Sequence, residues 1–299
     1  MATRPRPNDS GNVVPLFEDE TFELEPLPMG RTLVAPAPAS PQPGTVVDLN
    51  GKPKLVVALG PGHSGKTMLM RWIGEHMLDG GRSPAMAAID PENRDLLNFF
   101  GADVLVPKSS NLPVVVDFLR LLMGAMVKRQ TSYLLDTGGG DTAFAELFRE
   151  WPSLVSDLAD AGIATVAAYP LSPRITDMSL LTTLESAGFQ PAATALILNE
   201  GRVELGRDPE QEFAELRRQP IYRETLARGA VELHMPRLAV AKKVEDRRLQ
   251  FAQALKGGRT TADGRPIPPL GWADQKTLAA WLMKMQTAFA PVLTAGWIP

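Results

Sequence analysis

Cysteine is absent from this 299-residue sequence, and histidine and tyrosine occur only three times each. Without cysteine, the protein has no disulfide framework, no thiolate zinc site, no iron–sulfur cluster and no cysteine nucleophile. The histidines, His63, His76 and His234, are scattered along the chain and match no metal-ligand spacing such as H-E-x-x-H. Any chemistry that this protein performs must therefore depend on carboxylates and lysine.

An excess of charge of one sign is also lacking, because 31 Lys and Arg residues face 34 Asp and Glu residues, a formal net charge of -3. This balance argues against a surface devoted to nucleic acid, although it leaves a local basic patch open. No run of about 18 apolar residues is present, so we expect no membrane span. The start of the sequence lacks the pattern of a secretory signal, and with the missing cysteines this predicts a cytoplasmic protein.

Proline is plentiful, with 27 residues, and nine of them precede residue 50. The same region holds an acidic patch, Glu18 to Glu25, and a low-complexity stretch, Ala35 to Pro43. Such a composition cannot bury enough apolar area to offset the entropy of ordering, so the sequence predicts a disordered Pro-rich tail over residues 1–50. Residues 51–299 are expected to form one folded domain with a C-terminal helical extension.

From Lys52 onward, strand patterns alternate with helix patterns. Continuous apolar runs are typical of strands that are buried on both faces of a parallel sheet. The predicted strands are Leu55–Leu59, Ala85–Ile89, Val104–Val106, Tyr133–Leu135, Ala164–Tyr169, Ala195–Leu198 and Ala230–Met235. Helical spacing predicts helices between them, among them 142–160, 174–187 and 241–256, and a final helix through Trp281 and Phe289. This alternation predicts an α/β three-layer sandwich with a mainly parallel twisted sheet.

One loop carries a complete phosphate-binding motif. The residues GPGHSGKT, from Gly60 to Thr67, satisfy G-x-x-x-x-G-K-[ST], with a strand ending at Leu59 and a helix beginning near Lys66. Backbone N–H groups of such a loop point at phosphate oxygens, the lysine reaches the β- and γ-phosphates, and the threonine hydroxyl binds Mg²⁺. The predicted phosphate-binding residues are Gly60, Gly62, His63, Ser64, Gly65, Lys66 and Thr67.

A carboxylate follows the fourth predicted strand. Asp136 comes directly after Tyr133–Leu135 and is followed by Thr137 and two glycines, which also reads as D-x-x-G. A carboxylate at the end of a strand next to the phosphate-binding loop is predicted to hold Mg²⁺ together with Thr67. No glutamate follows Asp136, which disfavours the nucleotide hydrolases that place a catalytic glutamate there.

Taken in order, these blocks resemble the ParA/MinD-type deviant-Walker P-loop ATPases of the SIMIBI class. The resemblance covers about residues 53–256 and is also carried by blocks outside the loop and the carboxylate. Those further blocks are AIDPEN at Ala88–Asn93, YPLSP at Tyr169–Pro173 and LILN at Leu196–Asn199. The resemblance implies ATP and Mg²⁺ as cofactors, a homodimer, and a P-loop NTPase fold.

The resemblance also implies roles for particular residues. Asp90 would position or activate water, and Asn199 and Pro236 would contact adenine. Lys66, Asp90 and Asp136 are the predicted catalytic residues. Two of these positions have a simpler interpretation, because Asp90 would also serve as a helix N-cap and Asn199 as a cap at the end of a strand.

Three positions depart from the pattern of this family. Pro61 stands five residues before Lys66, where the family has the signature lysine that reaches the partner's nucleotide across a dimer. His63 replaces a glycine, and Ala88 stands where many members have the first of two aspartates. Nucleotide binding survives such changes better than turnover does.

Two main hypotheses about function therefore stay open. The first is a slow Mg-dependent ATPase that switches partner binding in plasmid or chromosome partitioning, conjugative plasmid transfer or the positioning of other cargo. The second is a nucleotide-binding adaptor that has lost hydrolysis and assembles a larger machine. A P-loop small-molecule kinase is a weaker third, because no Arg-rich lid segment is recognisable.

A basic cluster near the end of the core suggests DNA as a partner beside a protein partner of the partition or transfer system. Its members are Arg237, Lys242, Lys243, Arg247 and Arg248. They would contact DNA phosphates. Because Glu245 and Asp246 are interleaved with them, a solvated helix face is the simpler interpretation.

Overall fold

A computed structural model describes residues 46–90, 95–138, 142–261 and 264–299 of the chain. The chain divides into two units, Met1–Ala39 and Ser40–Pro299, and all described elements belong to the second. The strands are β1 (Lys54–Ala58), β2 (Ala85–Ala88), β3 (Val104–Leu105), β4 (Tyr133–Asp136), β5 (Ala164–Leu171), β6 (Ala193–Asn199), β7 (Val231–Met235), β8 (Arg259–Thr260) and β9 (Pro266–Ile267). The helices are α1 (Lys66–Asp79), α2 (Asp95–Phe100), α3 (Leu112–Arg129), α4 (Thr142–Glu150), α5 (Leu154–Asp160), α6 (Ser179–Ser186), α7 (Pro209–Glu212), α8 (Ala214–Arg218), α9 (Pro220–Ala227), α10 (Ala241–Asp246), α11 (Phe251–Lys256) and α12 (Trp272–Thr294).

Within the described ranges, strands β1 to β7 form one sheet in the order β3-β2-β4-β1-β5-β6-β7. Every neighbouring pair in it is parallel. All seven strands lie where the apolar runs predicted them, within one to two residues at either end. Strands β8 and β9 form a separate antiparallel hairpin inside the predicted loop 257–271.

Helices cover both faces of the sheet, because alternate residues of the central strand point to opposite sides. Val56 and Ala58 pack into a core with α1, α11 and α12. Leu55 and Val57 pack into a second core with α3, α4 and α6. The predicted α/β three-layer sandwich is confirmed, and its architecture is that of a P-loop NTPase-like fold.

The register of the sheet sets the position of the site. Ala58 of β1 and Ala88 of β2 are both paired with Asp136 of β4. The carboxyl ends of these three strands are therefore level, and the segments that leave them meet at one edge. On the far side of β1, Asn199 at the end of β6 is paired with Met235 at the end of β7.

Two predicted helices are interrupted. The helix expected over 142–160 is divided into α4 and α5 at Trp151-Pro152, because the ring of a proline disfavours the helical conformation of the residue before it. The helix expected near 241–256 is divided into α10 and α11, and Arg248 between them adopts a left-handed conformation with φ 51°.

The predicted tail extends too far. Its residues 1–45 lie outside the described residues, but Leu49 is buried at 2% exposure, and its N–H donates to the carbonyl of Ala295 at 2.8 Å. The Trp297 indole also donates to the Val47 carbonyl at 2.7 Å. Any N-terminal tail therefore ends before Val46 and not at Asn50. The prediction extended the Pro-rich region over Val47 and Leu49, because these residues make their contacts with residues near position 296, which the local composition does not indicate.

None of the described helices is long and apolar enough to cross a membrane.

Candidate functional site

The loop between β1 and α1 curls through two glycines in conformations that side chains rarely adopt. Gly60 has φ 139° and Gly65 has φ 112°. His63 also has a positive φ, 63°, in the left-handed region that a single non-glycine residue tolerates at some cost. Helix α1 begins directly after Gly65, so its first N–H groups face the interior of the loop.

Asn199 supports this loop from the end of β6. Its Nδ2 donates to the Ser64 carbonyl at 2.7 Å, and its Oδ1 accepts from the N–H of Gly201 at 2.9 Å. A Cβ on Gly65 would clash with Asn199 Nδ2 and would lie 2.8 Å from Met235 Cε. The side chain therefore acts as the cap expected of a strand-end asparagine, and it also holds the loop in place.

Lys66 folds back over the loop. Its ammonium donates to the carbonyl of Gly60 and, at 2.8 Å, to the carbonyl of Pro61, and the side chain is 5% exposed. Pro61 lacks an N–H and cannot donate to a phosphate, but its carbonyl helps to hold the lysine. The charge of Lys66 is thus already positioned at the centre of the loop.

Thr67 and Asp136 meet across α1 and β4. The Thr67 hydroxyl donates to Asp136 Oδ2 at 2.8 Å, and Asp136 Oδ1 accepts from the N–H of Gly138 at 3.3 Å. Asp136 is 4% exposed, and burial raises its pKa against the lowering effects of these hydrogen bonds and of Lys66. The nearby Asp90 adds to the rise. A bound cation would compensate the carboxylate charge that burial disfavours.

Asp90 lies beside Asp136. The N–H of Ile89 donates to the Asp136 carbonyl at 3.0 Å, and a Cβ on Gly138 would clash with Asp90 and would lie 2.9 Å from its Oδ2. The side chains of Thr67, Asp90 and Asp136 all present oxygen atoms, which are the ligands that Mg²⁺ prefers. The described residues contain no cluster of three or more His, Asp or Glu side chains that would hold a metal alone. This donor set fits Mg²⁺, which is usually held by one or two carboxylates together with substrate phosphates.

A cavity of about 660 Å³ opens next to the loop. This volume lies within the range of small-molecule sites, roughly 300–1,000 Å³. The predicted site residues that border it are Gly62, His63, Gly65, Lys66, Thr67, Asp90, Asn199 and Pro236. Gly60, Ser64 and Asp136 lie buried behind this lining. The hydroxyl of Ser64 is also buried and makes no hydrogen bond.

No protein-family model and no curated protein matches this sequence. Among solved structures, MinD cell division protein of Aquifex aeolicus is 11% identical, with a TM-score of 0.42, over 79% of this chain and 97% of that one. Cell division protein FtsY of Thermotoga maritima is 12% identical, with a TM-score of 0.39, over 80% of this chain and 72% of that one. Chloroplast FtsY of Physcomitrella patens is 12% identical, with a TM-score of 0.40, over 78% and 66%. At these values the similarity carries no weight for function, which rests on the residues of the site.

The basic cluster near the end of the core is divided by the structure. Lys243 pairs with Asp274 at 2.7 Å, and Arg247 donates to the Pro269 carbonyl at 2.9 Å, so both hold the C-terminal segment. Arg237 and Lys242 instead border the cavity, with no ion pair to any residue that the structure describes. Two cations that the sequence suggested for DNA therefore lie at the mouth of the candidate site.

Two other lining residues, Arg202 and Trp281, were not predicted as site residues. Arg202 lies two residues beyond the Asn199-Glu200 pair, and Trp281 reaches the cavity from α12. The one signal for Arg202 in the sequence is that it follows Asn199 by three residues. Trp281 belonged to an apolar helical stripe that is typical of core packing.

Charged side chains join the ends of β6 and β7 beside the cavity. His234 Nδ1 lies 3.2 Å from Glu200 Oε1, and Arg217 pairs with Glu232 at 2.8 Å. Hydrogen bonds to Glu232 and Glu200 raise the pKa of His234. The His234–Glu200 contact links the residue after Asn199 to the end of β7, and the Arg217–Glu232 pair links β7 to α8.

Proposed function

We propose that this protein binds ATP with Mg²⁺ at the end of β1 and works as a slow ATPase whose nucleotide state controls partner binding. The contact of the Thr67 hydroxyl with the buried Asp136 carboxylate, 2.8 Å apart, carries the proposal. It joins the last residue of the phosphate-binding motif to the predicted magnesium carboxylate, beside a cavity of about 660 Å³.

Each residue would have a distinct task in this reaction. Lys66 would exchange its hydrogen bonds to the loop carbonyls for phosphate oxygens, balancing their charge. Thr67 and Asp136 would hold Mg²⁺, which supplies charge neutralisation at the β- and γ-phosphates. Asp90, beside Asp136, would orient the attacking water. Asn199 would keep the loop in shape while its edge borders the adenine.

Nucleotide affinity and phosphate release test this proposal. Lys66→Ala removes charge-assisted hydrogen bonds worth about 1.5–3 kcal/mol, so we expect ATP binding to weaken about 10- to 100-fold. Isothermal titration with ATP and GTP, in Mg²⁺ and in EDTA, measures this. Lys276→Ala, exposed on α12, is the matched control and should bind ATP normally. The proposal is wrong if the wild-type protein does not bind ATP, or if the Lys66→Ala variant binds ATP as tightly as the wild type.

A second candidate is a nucleotide-binding adaptor without turnover. Pro61 favours it, because a proline at this position has no ammonium to stabilise phosphate charge across a dimer, and Ala88 removes one carboxylate from the end of β2. Tight ATP binding combined with phosphate release no faster than that of Lys66→Ala would select the adaptor over the ATPase.

The biological process is part of the same proposal: partitioning, conjugative transfer or cargo positioning, with a homodimer and a protein partner. DNA is the weaker partner, since Lys243 and Arg247 are engaged with the protein's own C-terminal segment. A gel shift with and without ATP decides this point. No ATP-dependent shift would remove DNA binding from the proposal.

A further inference from the structure

We infer that Trp281, on the C-terminal helix α12, is a positioning residue for the nucleoside end of the cavity. This inference rests on the proposed function, because it assigns a role within the same nucleotide site. The segment that it positions is Met235–Ala239, which begins at the last residue of β7 and borders the cavity on the side away from Asp136.

The arrangement of the strands identifies this side as the nucleoside end. The phosphate-binding loop follows β1, whereas β6 and β7 are the second and third strands beyond it. Strands lie about 4.8 Å apart, so β7 ends about 14 Å from β1. The cavity runs from the loop to Asn199 and Pro236, so a nucleotide with its phosphates in the loop would extend its base in this direction. Met235 is close enough to Gly65 that the segment continues the wall of the loop without a gap.

Trp281 holds this segment through its indole nitrogen. Nε1 donates to the Pro236 carbonyl at 2.8 Å, and the residue is 3% exposed. Its ring lies against the ring of Phe251, with centroids 5.2 Å apart, so the indole cannot turn away from Pro236 without disturbing the core. Leu238 and Val240, 8% and 6% exposed, belong to the same core as Trp281 and anchor the C-terminal end of the segment.

The direction of the N–H group matters more than the packing of the ring. Pro236 has no N–H of its own and is followed by Arg237, whose charged side chain borders the cavity. Losing the Trp281 donor would leave the half-buried Pro236 carbonyl without this partner and would release the backbone at the point where the base is expected. The phosphate-binding loop makes no hydrogen bond to Trp281 in the described chain and would keep its shape.

The chain provides a matched control in Trp297. This residue is 1% exposed and its Nε1 donates to the Val47 carbonyl at 2.7 Å, but it does not border the cavity. Trp281→Phe and Trp297→Phe each remove one buried indole donor and keep an aromatic ring. Both should lower the melting temperature by similar amounts.

Isothermal titration of the full chain with Mg-ATP and with Mg-tripolyphosphate tests the inference. One lost hydrogen bond corresponds to about a three- to tenfold change in affinity, and we expect Trp281→Phe to weaken ATP binding by this factor. Tripolyphosphate binding should change less than about twofold, because the phosphate-binding loop is untouched. Trp297→Phe should bind both ligands as the wild type does.

Three outcomes would overturn the inference. If the Trp281→Phe variant binds ATP as tightly as the wild type, Trp281 has no positioning role. Equal weakening of both ligands in Trp281→Phe and Trp297→Phe means that the indole contributes to stability alone. Wild-type protein that binds neither ligand overturns the proposed function and this inference with it, whereas wild-type binding that is lost in Lys66→Ala keeps the proposed function whatever Trp281 does.

A fluorescence titration provides an independent measurement. The ring of Trp281 borders the cavity, so ATP should change the tryptophan emission of the wild type and of Trp297→Phe. The change should be lost or strongly reduced in Trp281→Phe at saturating ATP. An unchanged response in that variant would contradict the position assigned to the ring.

Discussion

At the level of single residues, Gly65 is the position where the phosphate-binding loop tolerates least change. It adopts φ 112°, and the space where a Cβ would stand is occupied by Asn199 and Met235. Glycine is needed here both for its backbone conformation and for the close approach of β6 and β7 to the loop. The spacing of the motif indicates that a glycine is required here. The side chains that pack against it come from two strands that are distant in the sequence.

Gly65→Ala should destabilise the protein by about 2–4 kcal/mol, because left-handed backbone strain adds to the displacement of Asn199 and Met235. ATP binding should be lost with it. Gly124→Ala is the matched control. Gly124 is a solvent-exposed residue in the middle of α3, and no atom lies near the position of a new Cβ. That variant should gain about 0.5–1 kcal/mol from helix propensity. Urea unfolding measures both, and similar effects at the two sites would contradict this account.

At the level of elements, a buried ion pair connects α1 to the segments around it. Arg71 Nε lies 2.8 Å from Glu75 Oε1, with side chains 1% and 7% exposed. The guanidinium stacks between the rings of Phe99 and Phe251, 3.7 and 4.0 Å from their centroids, and donates to the Leu249 carbonyl. Burial raises the pKa of Glu75 while the charge of Arg71 opposes the rise. The pair thus holds α1, which starts at the phosphate-binding loop, against α2 and α11.

Removing one partner of this pair should cost more than removing both. Arg71→Met leaves the Glu75 carboxylate buried without its cation, and we expect a loss of about 3–5 kcal/mol. Glu75→Leu likewise leaves the Arg71 guanidinium buried without its carboxylate partner. The double variant should be more stable than either single variant, because no buried charge remains unpaired.

Urea unfolding of the four proteins in this cycle measures the coupling. A double variant whose loss equals the sum of the single losses would show that the two side chains act independently. Arg207→Ala breaks an exposed pair with Glu204, whose side chains are 64% and 77% exposed, and should leave the midpoint unchanged.

At the level of the whole molecule, the two ends of the described chain meet. The Asn50 amide donates to the Thr294 carbonyl at 3.0 Å, Leu49 is buried, and Trp297 donates to Val47. Segments 46–50 and 294–298 are therefore in contact, and Leu49, Trp297 and Ile298 belong to the same core as α12. This contact also secures the helix that carries Trp281.

Two truncations separate this contact from the preceding sequence. Deleting residues 2–45 should leave the melting temperature and ATP affinity unchanged, because the composition of that region predicts no packed core. Deleting residues 2–50 removes the buried Leu49 side chain and backbone hydrogen bonds, and should cost about 3 kcal/mol. Thermal unfolding distinguishes them, and equal stability of the two truncated proteins would contradict the role of residues 46–50.

Sequence alone determined the α/β alternation, the strand positions and the phosphate-binding loop. These depend on local properties: apolar runs, the glycines and lysine of one motif, and a carboxylate at the end of one strand. The motif and the strand-end carboxylate predict that Thr67 and Asp136 act together, and their side chains are in contact at 2.8 Å. The helical periodicity over 142–160 did not show the break at Trp151-Pro152, which depends on a single proline.

Only the tertiary structure decided which distant groups complete the site. Asn199 on Ser64, Trp281 on Pro236 and the exposure of Arg237 to the cavity depend on strand order and on the docking of α12. The same packing brought residues 46–50 into the fold and divided the basic cluster between the cavity and the C-terminal segment. Such contacts join segments far apart in the chain, and the periodicity of either segment by itself does not record which partner it will meet.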